Sequence, residues 1–281
     1  MKNLYKVIFA IGLLGASSCQ KSFLDLTDPA KRSADKFYQN EEQIKQAVNG
    51  AYSSLQDHVS SQYIFAEMSS DNTTVQLDPS DRGYTESDEA YEFWNVSPTN
   101  VNIAGMYSQS YNALYNINTA LSKIDGVAAI SAGKKAQYKG ELQFMRAYYY
   151  FNLVRYFGEV VLITAPLESA SEAFQTARAK EDKVYEQIVK DLSEAADNLP
   201  AKSAYPAADA GRASKGSALG LLGKVYLTRK EYPKAKTALE KVLTLGYSLV
   251  TPNYADVFDP AKKNNSESLF EVQYQGGNNL G

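Results

Sequence analysis

The sequence predicts an all-α fold: an array of paired helices interrupted by long loop insertions. Three observations carry this. From Glu141 to Phe157, reading ELQFMRAYYYFNLVRYF, twelve of seventeen residues are apolar or aromatic and fall on every side of a helical wheel, with only Glu141, Gln143, Arg146, Asn152 and Arg155 between them. A helix that is apolar all round belongs inside a pile of other helices. Apolar residues also recur at helical spacing in the segments 44–58, 101–124 and 180–199, and Leu219, Leu222, Gly223, Tyr226, Tyr232, Ala235, Leu239 and Val242 alternate large and small side chains as a two-helix repeat does.

Taken in order, the chain opens on Lys2 and Lys6, an apolar run Val7 to Leu14, then Gly15, Ala16, Ser17, Ser18 and Cys19. A charged start, a short apolar run and small residues make a leader peptide. The run is too short to span a bilayer. The only cysteine of the chain follows directly on the small residues, a pattern that resembles a bacterial lipobox, with Ala16 where leucine is preferred. Residues 1–18 therefore read as a lipoprotein signal peptide with Cys19 as the lipidated residue. Residues 19–35 are polar with a Thr27-Asp28-Pro29 turn and read as a tether, and 36–281 as the helical domain.

Asn40 before Glu41, Glu42 and Gln43 is a helix start, with acidic groups at the positive end of the dipole. The periodicity from Ile44 runs to about His58. His58, the sole histidine, has no nameable catalytic partner and is expected at the surface or in a cap. From Ser69 to Asn100 periodicity is lost. A loop this long exceeds the usual ~15-residue limit and tends to be functional or disordered. Tyr84, Tyr91, Phe93 and Trp94 are too many aromatics to leave solvated, so part of it must pack and part presents a face.

Val101 to Ile124 is the next helix, ended by Gly126. Ser131 to Gly133 opens the helix that contains Glu141–Phe157, and Gly158 stops it. A membrane span is ruled out there, because a glutamate and two arginines interrupt a run that needs roughly 18 nearly uncharged residues. Val160 to Ile163 reads as extended, followed by a Pro166-containing loop to about Arg178, then an amphipathic helix from Lys180 to Leu199 closed by Pro200. A polar loop, Ala201 to Gly211, leads to helices 217–228 and 233–245. Pro233 suits a first helical turn. The spacing there is that of a tetratricopeptide unit, in which Gly223 and Ala235 admit close approach. One unit cannot bury both faces, so the pairs within 101–157 and 137–199 must stack on it. Leu269 to Tyr274 alternates like a strand.

With a formal charge of −3, or −5 once Lys2 and Lys6 leave with the leader, the chain does not suit nucleic acid, which needs a concentrated basic patch. One cysteine allows neither an internal disulfide nor a cysteine-based metal cluster. The sequence carries no second histidine, nucleophile elbow, phosphate loop or metal spacing. A glycosidase needs two carboxylates about 5 or 6.5–9.5 Å apart across a cleft, and no pair is singled out. The reading is of a non-enzyme with no cofactor and no metal.

Gly140, Glu141, Phe144, Arg146-Ala147, the aromatic run Tyr148 to Phe151, Leu153, Val154, Phe157, Gly158 and Glu159 together resemble the signature helix of the SusD/RagB family of outer-membrane nutrient-binding lipoproteins. Val161 stands where that family usually shows proline. Gly211-Arg212-Ala213 and Tyr226-Leu227 are similar as well, extending the likeness from about Phe23 onward. The resemblance implies a surface-exposed, lipid-anchored protein of the outer membrane that binds glycan and caps a SusC-type TonB-dependent transporter in oligosaccharide uptake. It also implies that further family sequence follows, so the chain is expected to be an N-terminal portion.

Trp94 with Tyr84, Asn95 and Asp71 is the candidate glycan-binding set. An indole suits the apolar face of a pyranose, and Asn and Asp fix hydroxyls. Trp94 as a plug holding the loop onto the helices is the competing expectation. A periplasmic protein-binding scaffold with no carbohydrate site is the alternative that the tetratricopeptide pattern alone supports; a scaffold has little use for a long aromatic insertion.

Overall fold

The computed structural model describes residues 37–75, 80, 85–167 and 169–274. The leader, Cys19 and the tether lie outside them, as does Tyr84. From Tyr38 onward the described chain forms one compact unit. Its helices are α1 (Glu41–Ala66), α2 (Thr85–Glu92), α3 (Val101–Ile124), α4 (Ala132–Phe157), α5 (Ala170–Gln175), α6 (Glu181–Asn198), α7 (Lys215–Thr228) and α8 (Tyr232–Leu243). The strands among the described residues are β1 (Val160–Val161) and β2 (Arg178–Ala179), paired antiparallel with Val160 opposite Ala179.

Local chemistry sets the helix ends. Asn40 accepts a hydrogen bond from the Gln43 amide at 3.0 Å, and Gln43 Oε1 accepts from the Gln39 amide at 2.7 Å, satisfying two donors at the start of α1. Ser131 and Ser214 cap α4 and α7, the latter in a reciprocal box with Ser217. Gly158 ends α4 at φ +67°, a region open to glycine and costly for other residues.

The helices pack in the order α1, α3, α4, α6, α7, α8, with α4 most extensively against α6 and α7 against α8. The predicted repeat geometry is present at the last pair. An added Cβ on Gly223 would lie 2.5 Å from Leu239 Cδ2, so the missing side chain is what admits Leu239. In α4, Leu142, Met145, Ala147, Tyr149, Tyr150, Phe151 and Leu153 are all buried.

The buried polar residues of the central stretch, Glu141, Gln143, Arg146 and Asn152, find partners inside, while Arg155 is exposed. Glu141, fully buried, accepts from Tyr52 Oη at 2.8 Å, Arg212 Nη1 at 2.8 Å and Gln137 Nε2 at 2.9 Å. Gln143 donates to Glu194. Arg146 grips Asp191 through Nε at 2.8 Å and Nη2 at 2.6 Å, and its Nη1 donates to Asn118 Oδ1 and to the Thr164 carbonyl. Asn118 Nδ2 and Tyr150 Oη donate in turn to the Ile163 carbonyl. The chain leaving α4 is thereby tied to α3, α4 and α6. Buried polar groups require such pairing, and this is why a helix without a polar face tolerates four of them.

Five expectations are corrected. His58 is not at the surface but fully buried: its Nε2 faces Asn152 Nδ2 at 3.0 Å, and its ring meets Tyr149 edge-on at 4.8 Å. α1 continues past His58 to Ala66, because Ile64 and Phe65 extend its apolar face. The loop 69–100 contains α2, and the Pro166 loop contains α5. Leu269–Tyr274 forms no strand; its apolar members Leu269, Phe270 and Val272 pack onto the helices instead of a sheet neighbour.

Candidate functional site

The long loop packs through Tyr91 and presents Trp94. Tyr91 is buried with Ile64 and Met68, its ring 5.2 Å from Phe65 of α1. Burial, and then the charge of Asp88, push its hydroxyl up to about 12. One face of α2 is thus anchored on the end of α1.

The end of α2 turns sharply. The Trp94 amide donates to the Tyr91 carbonyl at 3.3 Å and the Asn95 amide to the Ala90 carbonyl at 2.9 Å, the two bonds of a Schellman cap with Trp94 at the position after the cap. Its φ is +55°, where glycine or asparagine usually stands. The side chain is 80 % exposed and beside it Phe93 is 60 % exposed. Trp94 is therefore not a plug. The fold accepts an unfavourable backbone conformation at a residue whose ring buries little.

A clasp positions the neighbouring segment. Glu92 accepts from Thr74 Oγ1 at 2.6 Å and from the Val75 amide at 3.0 Å, and these bonds hold its carboxyl below the usual range. The stretch carrying Asp71 is so tied to the end of α2, two residues before Trp94. Asp71 and Asn95 are both exposed. On the far side, Asn100 Nδ2 donates to the Ser87 carbonyl and Asn102 Nδ2 to Asp88 Oδ1, each at 2.8 Å. The Glu92 clasp and the exposure of Phe93 were not expected from the sequence, where no periodicity marks them.

A separate cleft of about 550 Å³, lined among others by Asn49, Tyr52, Gln56, Arg212 and Gln273, holds none of the predicted site residues. Arg212 is spent there on Glu141, Asp209 and Asn49. Among the described residues no cluster of potential metal ligands occurs, and no helix is long and apolar enough to cross a membrane.

The site is thus a helical-repeat array with several aromatic rings open to solvent, Trp94 and Phe93 among them, and exposed apolar surface of this kind marks interaction sites. Residues 22–227 match the SusD-like family described as starch-binding and associating with the outer membrane, and the chain belongs to that family. It is 27 % identical over 275 residues to SusD-like protein P25 of Formosa agariphila, covering 95 % of this chain and 51 % of that one. Among solved structures it superposes on a SusD-like protein of Bacteroides fragilis with a TM-score of 0.75 at 29 % identity, covering 87 % of this chain and 46 % of that one. A laminarin-binding SusD-like protein gives 0.73 at 29 %, with 83 % and 51 % covered. The chain spans about half the length of the curated relatives it matches.

Proposed function

We propose that this chain provides the helical, glycan-contacting part of a cell-surface lipoprotein that delivers oligosaccharide to a SusC-type TonB-dependent transporter of the outer membrane. The observation that carries the reading is Trp94, an exposed indole held at φ +55° where burial gives no return for the strain. Strained backbone concentrates at functional sites. A solvent-facing indole stacks on the apolar face of a pyranose, and Asn95 and Asp71 supply donors and acceptors for its hydroxyls. Tyr84 belongs to the same proposed set. Family membership and the likeness to a laminarin-binding protein support a carbohydrate ligand. The role is binding and delivery, which calls for no catalytic group, cofactor or metal.

In this reading residues 1–18 are a lipoprotein signal peptide, Cys19 is acylated, 19–35 tether the protein to the outer membrane, and 36–281 form the helical domain. Affinity electrophoresis through gels containing laminarin or soluble starch tests the ligand: the protein is retarded and Trp94→Ala is retarded less. Absence of retardation in both gels defeats the reading. Anchoring is tested by Cys19→Ala, which leaves the membrane fraction after a salt wash.

A further inference from the structure

Glu92 stands where helix chemistry alone would not place a carboxylate. It is the last residue of α2, at the negative end of the helix dipole, where an acidic side chain is disfavoured. What it gains there is a pair of donors from another segment, Thr74 Oγ1 at 2.6 Å on one carboxylate oxygen and the Val75 amide at 3.0 Å on the other. Hydrogen bonds to an ionised acceptor are about twice as strong as neutral ones. The carboxylate therefore serves the join between α2 and the segment before it, and not the helix that carries it.

Apolar packing frames the same join. Val75, beside the clasp, and Val96, two residues beyond Trp94, both pack on the cluster of Ile64, Met68 and Tyr91. The turn that carries Trp94 is thus held by Tyr91 and Glu92 before it and by Val96 after it. On the other segment, Ser70 Oγ donates to the Glu67 carbonyl at 2.7 Å and accepts from the Asn72 amide at 3.3 Å, bracketing Asp71 between the end of α1 and the clasp. The groups that fix the two segments are distinct from the groups they present, Asp71 on one and the indole on the other.

We infer that Glu92 is a positioning residue of the glycan site: by fastening the chain that carries Asp71 to the end of α2, it presents Asp71 and the Trp94 indole as one preformed surface. This rests on the glycan-binding reading above. A ligand that meets both groups already in place loses less of its binding energy to ordering them.

Trp94 is the only tryptophan, so the decay of indole anisotropy in the full chain reports this turn alone. Glu92→Ala, which removes both acceptors, is expected to enlarge the nanosecond component of that decay, the range of loop motion. It should also weaken retardation in laminarin or soluble-starch gels about 3- to 10-fold, the worth of one hydrogen bond. Thr74→Val opens the clasp from its other side and should shift both readouts the same way by less, because the Val75 amide bond persists; Thr74→Ser keeps the hydroxyl and should match the unsubstituted protein. Asp71→Ala should weaken retardation in the unsubstituted background and clearly less in Glu92→Ala, the non-additivity of groups that act together. Far-ultraviolet circular dichroism confirms folding of each variant. Unchanged retardation of Glu92→Ala overturns the positioning role and leaves Trp94 standing. Weaker retardation with an unchanged anisotropy decay also overturns it, by making Glu92 a direct glycan contact, as does an Asp71→Ala effect that is absent or equal in the two backgrounds. Failure of the unsubstituted protein to be retarded in either gel overturns the glycan reading and this inference together.

Discussion

Arg146 of α4 and Asp191 of α6 face each other as a two-point pair, Nε to Oδ2 at 2.8 Å and Nη2 to Oδ1 at 2.6 Å, with the Asp191 side chain fully shielded from water. The planar fork of arginine matches both carboxylate oxygens, which lysine cannot do. The same guanidinium holds Asn118 and the Thr164 carbonyl, so one side chain fastens three helices and the strand exit.

Removing Arg146 leaves Asp191 buried and uncompensated. Arg146→Met is expected to cost about 3–5 kcal/mol in urea unfolding, the range for breaking a buried pair from one side. Arg146→Met with Asp191→Leu should recover most of that loss, because apolar replacement of a whole buried pair is often neutral. A double variant as unstable as the single one would show that the contacts to Asn118 and Thr164 carry the stability.

His58 makes stability depend on acid. Asn152 Oδ1 accepts from Arg155, so Asn152 turns its amide toward His58 Nε2, which must accept; the ring proton then sits on Nδ1, which has no partner. Burial lowers its pKa to about 4. Because the folded value lies below the unfolded ~6.5, the unfolded chain binds the proton first. The stability is whole above pH 6.5 and is lost as pH falls toward 4, by roughly 3 kcal/mol in full. Urea unfolding of wild type and His58→Phe between pH 7.5 and 4.5 checks this: the variant starts lower, with Asn152 unpaired, and loses less as pH falls. Parallel curves would dismiss the histidine as the source.

Gly140 marks where α4 meets the end of α6. A Cβ there would stand 2.9 Å from Leu199 Cγ and 3.2 Å from Asn198 Cβ, and Leu199 is itself buried in the core. Overpacking costs about 1–3 kcal/mol, against a gain of about 1 kcal/mol in helix propensity for alanine. Gly140→Ala is expected to lose about 1 kcal/mol in thermal or urea unfolding and Gly140→Val distinctly more. A stabilised Gly140→Ala would mean that Leu199 repacks freely.

Most of the helical frame was legible in the sequence because it is written in caps and periodicity: Asn40, Ser131 and Gly158 stand at ends that their backbone chemistry dictates. Buried polar pairs were not legible. Nothing in the spacing of Arg146 and Asp191, or of His58 and Asn152, shows that tertiary packing joins them, so a lone histidine was placed at the surface when a packing partner some ninety residues away held it inside. α2 escaped because eight residues rich in charge give almost no apolar stripe, and the helix is held by Tyr91 and the Glu92 clasp instead. Leu269–Tyr274 alternates as a strand does, yet alternation also serves a segment laid along helices. Trp94 was legible as a candidate by its chemistry, but its left-handed backbone was not.

That backbone yields the sharpest test of the proposed site. A tryptophan at φ +55° bears a steric cost of about 1 kcal/mol that glycine avoids, and at 80 % exposure its ring has little burial to lose. Trp94→Gly should therefore unfold at the same or a higher urea midpoint, by up to about 1 kcal/mol, while retardation in laminarin or starch gels falls as far as it does in Trp94→Ala. Trp94→Ala keeps a Cβ in the left-handed region and should be the less stable of the two, with the same loss of retardation. If Trp94→Gly proved clearly destabilised, the indole would be a packing element and its exposure no sign of a ligand; if it were stable and fully retarded, the strain would serve something other than glycan.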